Sequence, residues 1–149
     1  MHKVARYFDL RELVSKNVYQ KYGSFAWAAF DSRLLDVIVW LREGLGIPLV
    51  CNNWAQGGQL QQRGLRENTC QIVYDKTMAR QIYLSAHPLG KGVDLSSGQM
   101  SARDIRKWIR ANIDSCPWPI RLEDDKSAPT WVHIDTMNNT DKKLIEFSA

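Results

Sequence analysis

The feature that most constrains this chain is a run of apolar residues at helical intervals between Asp31 and Leu45. Leu34, Leu35, Ile38, Leu41 and Leu45 recur every three or four positions, so on a helix they form one stripe that must be covered. Gly44 and Gly46, followed by Pro48, supply the stop signals. The apolar stretch from Leu34 to Leu41 is broken by Asp36 and ends at Arg42 and Glu43, short of the ~20 apolar residues a membrane span requires. The pattern therefore describes a core helix that needs a second layer to pack on.

Other segments supply that layer. In YFDLRELV, Asp9 is placed to cap a short helix whose Leu10, Leu13 and Val14 lie at helical spacing within a first segment, Tyr7 to Tyr22. IPLVCNN reads as a short buried strand, and WAQGGQLQQRGLRENT as a long polar loop of the kind that often carries function. Ser101 is an N-cap with Asp104 three residues on, opening a helix from Ala102 to Asn112 with Ile105, Trp108 and Ile109 on one face. WPIRLE has the character of a strand, and TWVHIDT alternates as a half-buried strand does. Helices before and between short strands predict an α+β domain with a small antiparallel sheet and flanking helices.

With 149 residues, 44% hydrophobic and 24% charged, the chain has the composition of one globular domain, large enough to hold a core without disulfides. Cys51, Cys70 and Cys116 have no C-x-x-C spacing and read as reduced core thiols. The N-terminus lacks the apolar region of a secretory signal, so the expected place of synthesis and residence is the cytoplasm. The net charge of +4 is scattered; it favours approach to polyanions such as an anionic cell wall without indicating a nucleic-acid partner. Of six tryptophans, Trp40 and Trp108 fall in helical segments and are expected in the core, whereas Trp54 and Trp131 flank the candidate site.

Three histidines are present, and two lie in informative surroundings. His87 sits in SAHPLGKGVDL, where Gly90 and Gly92 let the backbone fold back so that His87 and Asp94, seven positions apart, converge. His133 sits in WVHIDT, and period-two alternation puts Trp131, His133 and Asp135 on one strand face. Two imidazoles and a carboxylate suit zinc, with a fourth tetrahedral position left for water. Spacing alone leaves open that both histidines are ordinary hydrogen-bonded residues.

SAHPLGKGVD resembles the S-x-H-x-x-G-x-A-x-D signature of the D-Ala-D-Ala carboxypeptidase-type zinc peptidases, the superfamily that includes lysostaphin and the hedgehog signalling domain. WVHIDT is similar to the second histidine motif in its H-x-D form, and the two motifs occur in the family's order. IPLVCNNWAQGGQLQQRGLR and YFDLRELV also resemble segments of phage- and prophage-type members, so the likeness runs from Tyr7 to Asn138. The resemblance implies the small zinc-peptidase fold, with His87, Asp94 and His133 as zinc ligands. One departure matters. Many relatives carry the catalytic acid three residues before the last histidine ligand, where this chain has Thr130.

The base must then come from elsewhere. Asp135 is the first candidate because it shares a strand face with His133; its competing role is a hydrogen bond that orients a metal-bound histidine. Glu123 is the second, since a neighbouring strand can place it across from His133. Arg66 and Arg63 are candidates to grip a substrate carboxylate, with Gly64 allowing an unusual backbone between them, and Ser85 either contacts substrate or braces the loop. The resemblance implies a zinc-dependent peptidase that cuts peptidoglycan stem peptide as a carboxypeptidase or endopeptidase, from a phage or prophage, reaching the wall at lysis or within a virion. The alternative is a zinc-containing wall-binding or virion module that has lost catalysis, which Thr130 motivates.

Overall fold

A computed structural model describes residues 2–149. Its helices are α1 (Leu10–Leu13), α2 (Lys16–Tyr22), α3 (Ser32–Leu45), α4 (Gln71–Met78) and α5 (Ala102–Asn112). Its strands are β1 (Gly92–Leu95), β2 (Ile120–Glu123), β3 (Val132–Asp135) and β4 (Leu144–Phe147), in the sheet order β1-β3-β2-β4. Short 3-10 turns join several of these elements.

Local chemistry sets the helix ends where the sequence signals them. Asp9 accepts from the Arg11 amide while Glu12 returns a bond to the Asp9 amide, a reciprocal cap on α1. Ser15 accepts from the Val18 amide and starts α2, so the first segment is two short helices and not one. Asp31 caps α3, whose far end closes on Gly46 in the left-handed conformation. Ser101 caps α5 through the Asp104 amide.

Alternation gives the sheet two unlike faces. Val93, Leu95, Ile120, Leu122, Val132 and Ile134 are almost fully buried and join Leu34, Ile38 and Leu41 of α3 and Ile105 and Ile109 of α5 in one core cluster. Burying each such side chain contributes roughly 1.5–3 kcal/mol. Trp40 and Trp108, expected in the core, are only half-buried and pack against this cluster from its edge with ring centroids 5.1 Å apart. The three cysteines are buried and unpaired.

The structure corrects several expectations. The sheet is antiparallel only in part: β1 and β2 run antiparallel to β3, while β4 lies parallel to β2 at the edge. IPLVCNN is not a strand. Val50 alone bridges to Ser96, Pro48 has no amide to donate, and Asn52 spends its polar groups on Glu12, Val14 and Arg63. Helix α4 and strand β4 are additional elements. Among the described residues no helix is long and apolar enough to cross a membrane.

Candidate metal centre and its cleft

The face of the sheet turned away from the core carries the polar residues. On β3, His133 and Asp135 point to it; Asp94 of β1 is the direct antiparallel partner of His133, and Gly92 is that of Asp135. On the other side, Arg121 pairs with Asp135 and Leu122 with Ile134, a register that, continued by one residue, sets Glu123 across from His133. Strand geometry thus brings Asp94, His133 and Glu123 into one row across three strands.

His87 arrives from the turn before β1. Gly90, at φ +66°, closes that turn through its amide to the His87 carbonyl at 3.1 Å. At Gly92 the need is space: a Cβ would lie 2.6 Å from the Ala86 Cβ and 3.3 Å from His133 Cε1. Gly64 likewise serves close approach and not a left-handed turn, because a Cβ there would meet the Leu13 carbonyl oxygen at 1.9 Å. The Gly64 carbonyl accepts a hydrogen bond from His87 Nδ1 at 3.0 Å, which puts the imidazole proton on Nδ1 and leaves the Nε2 lone pair for the cluster.

One ligand atom from each of His87, Asp94 and His133 lies within 4.8 Å of the others, so this group can hold a metal ion. Asp94 Oδ1 is 3.4 Å from His87 Nε2 and 2.8 Å from His133 Nδ1, and the imidazole centroids are 5.0 Å apart. Tetrahedral coordination at ~2.0–2.1 Å separates neighbouring ligand atoms by about 3.3 Å, close to these spacings.

Burial and pairing set the protonation of the cluster. Burial pulls the His87 imidazole below its ordinary pKa against the pull of Asp94. For Asp94, burial opposes ionisation, but hydrogen bonds from His133 and His87 hold the carboxyl well below the usual carboxylate range. Burial also opposes charge on His133, yet its bonds to Asp135 and Asp94 push its pKa up to about 9. Before metal binds, His133 is therefore an imidazolium between two carboxylates.

Asp135 is fully buried and all its acceptor capacity is in use. Arg121 donates from Nε to Oδ1 and from Nη2 to Oδ2, both at 2.8 Å; the Met137 amide adds a bond to Oδ1, and His133 Nε2 lies 3.0 Å from Oδ2. This is the geometry of a carboxylate that orients an imidazole. Glu123 lines the cleft and is not engaged in this way. Burial raises its carboxyl above the ordinary value; His133 opposes the rise and Asp94 adds to it.

The cleft above the cluster encloses about 440 Å³ and includes Arg66, Ser85, Arg121, Glu123, Trp131 and Phe147 in its walls. Arg66 is only 8% exposed, its Nη2 sits 4.0 Å from Asp94 Oδ2, and its Nε is buried with no hydrogen-bond partner. An unpaired buried donor costs roughly 1–3 kcal/mol. Arg63 behaves differently. Its Nη1 donates to Ser96 Oγ, its carbonyl accepts the Asp94 amide at 2.7 Å, and its side chain borders a neighbouring groove shared with Arg66 and Trp131. Trp54 turns from the cleft to donate to the Val14 carbonyl, and Thr130 is exposed.

Sequence reasoning missed Arg121, which shares a strand face with Glu123, and Phe147, whose ring lies edge-on to His133 and 4.7 Å beneath the Arg121 guanidinium. The two-residue offset from Glu123 is a signal for Arg121; Phe147 has none before the parallel pairing of β4 is known. The chain matches no protein-family model, no curated protein and no solved structure among those compared.

Proposed function

We propose that this protein is a zinc-dependent peptidase acting on the stem peptide of bacterial peptidoglycan, with a fold of the D-Ala-D-Ala carboxypeptidase type. One observation carries the reading: His87, Asp94 and His133 converge at the floor of a cleft that also presents a buried, unengaged carboxylate, Glu123. The donor set of two neutral-capable imidazoles and one carboxylate fits zinc, and the bonds of His87 to Gly64 and of His133 to Asp135 orient both rings for coordination. Zinc bound there supplies a Lewis acid that lowers the pKa of water toward ~7 and polarises the scissile carbonyl.

The chain's own groups do the rest. Glu123 is the general base in place of the acid absent at Thr130: its carboxylate takes the proton of the attacking water and returns it to the leaving amine nitrogen. Arg66, whose guanidinium borders the cleft, binds the carboxylate of the peptide, and Ser85 borders the same space. Asp135, clamped by Arg121, fixes the His133 ring. The family resemblance of the two histidine motifs supports the cell-wall substrate and a phage or prophage source.

The test is incubation of the zinc-loaded protein with purified peptidoglycan, with mass spectrometry for released D-alanine or new amines. Product formation that is lost in Glu123→Gln with one zinc retained supports the assignment. One bound zinc and no product from the unmodified protein would instead favour a binding module without catalysis.

A further inference from the structure

We propose that Arg106 of α5 is a positioning residue of this site, acting through the backbone that carries Glu123 and Trp131. The proposal rests on the reading of Glu123 as the group that moves the proton. Arg106 lies among Ala102, Ile105 and Ile109 on the buried side of α5, where helical spacing calls for an apolar side chain, and it is 0% exposed. Taking a guanidinium out of water costs several kcal/mol unless its donors are satisfied. Its one carboxylate partner, Asp125, at 3.0 Å, is itself 49% exposed. The compensation comes mainly from main-chain carbonyls.

Those carbonyls belong to one short stretch of chain. Arg106 Nε donates to the Glu123 carbonyl at 2.8 Å, and Nη2 donates to the carbonyls of Ala128 and Trp131, each at 2.7 Å. The three acceptors span the connection between β2 and β3, from the last residue of one strand to the residue before the other. The paired residues of β2 and β3 are Arg121 with Asp135 and Leu122 with Ile134, so at Glu123 the guanidinium takes over where those pairs end. Two of the three residues it holds by their carbonyls, Glu123 and Trp131, border the cleft. A rigid planar fork can serve all three carbonyls at once, whereas a lysine at the same place brings three donors on one flexible point and cannot span them. A displacement near 1 Å at a reacting group can cost ~100-fold in rate, so the fork's effect belongs in kcat.

The experiment compares the unmodified full chain with Arg106→Lys, and with Asp125→Ala, which removes the guanidinium's one carboxylate partner while sparing the carbonyl bonds. Zinc content, melting temperature, kcat and KM per zinc-bound molecule, and amide hydrogen exchange of the peptide covering residues 124–132 are measured for each. The expected result for Arg106→Lys is kcat lower by about 10- to 100-fold with KM within about twofold. Exchange accelerates in 124–132 while the peptide covering 85–95 keeps its protection. Asp125→Ala shows the same pattern in weaker form. A purely structural role would lower the melting temperature and leave kcat per zinc-bound molecule unchanged; that result, or unchanged exchange in 124–132, overturns the proposal. If Arg106→Lys does not fold, the same readouts in Asp125→Ala decide. If the unmodified protein cuts no peptidoglycan, the peptidase reading fails on its own, and the exchange pattern alone decides whether Arg106 holds the Glu123–Trp131 segment.

Discussion

His133 Nδ1 lies 2.8 Å from Asp94 Oδ1, between two residues that face each other directly in the β1–β3 ladder. The pairing ties the ligand geometry to sheet register: a one-residue slip of either strand would send one of the two side chains into the apolar core. Two of the three candidate ligands are thus fixed by a backbone ladder, while His87 comes from the turn before β1.

Removing a ligand should separate metal loss from substrate effects. His87→Ala and His133→Ala are expected to lose bound zinc and all hydrolysis, because two remaining donors do not make a site. Arg66→Ala should keep one zinc and raise KM for peptides with a free carboxylate. Metal analysis after gel filtration checks both, and full zinc retention by His87→Ala would show the ligand assignment to be wrong.

The metal-free protein should lose stability toward alkaline pH. The folded-state pKa of His133 is pushed from 6.5 up to about 9, so its contribution is fully present below 6.5 and is lost as pH rises through about 9. Asp94 is shifted the other way, from 3.8 downward, so its contribution is present above 3.8 and is lost as pH falls further. The His133 limb is of order 3 kcal/mol. The depressed His87 imidazole adds a further loss as pH falls below 6.5. Melting temperature in chelator should therefore decline on both sides, in acid through His87 and Asp94 and in alkali as pH rises through about 9, and His133→Asn should abolish the alkaline decline.

Arg121→Met should cost more than a surface arginine does. It leaves Asp135, fully buried, without its two-pronged partner, a loss of roughly 3 kcal/mol read in urea unfolding. Zinc affinity should drop as well, because the carboxylate that orients His133 is no longer held. An unfolding midpoint equal to that of the unmodified chain would refute the orienting role.

Helix α4 should open before the rest of the molecule. None of its residues is buried, and Ile82 and Leu84 beyond it are 95% and 76% exposed. Brief trypsin treatment is expected to cut first after Lys76 or Arg80, leaving α3 and α5 intact. First cuts within α5 would contradict this.

The cap that opens α1, the bounds of α3 and α5, and the strand in WVHIDT were readable in advance, although β3 is buried at every residue and not half-buried. Each depends on neighbours within a few residues: a cap reaches its own first turn, and a strand's faces follow from its own pleat. The choice between Asp135 and Glu123 was not readable. Strand alternation places both near His133, and what separates them is Arg121, whose two prongs occupy one carboxylate and leave the other free. Arg106 shows the same limit, since on a helical wheel it is a charge on an apolar stripe and only the β2–β3 connection reveals its partners. The sequence by itself determined the caps of α1 and α5, the span of α3 and the strand that carries His133, because those signals are short-ranged, while the candidate ligand set came from the resemblance of two motifs far apart in the chain. The tertiary structure decided the parallel edge strand, the carboxylate left free and the arginines that hold the site. Those outcomes depend on which distant groups compete for the same hydrogen bonds, and only the assembled packing settles that competition.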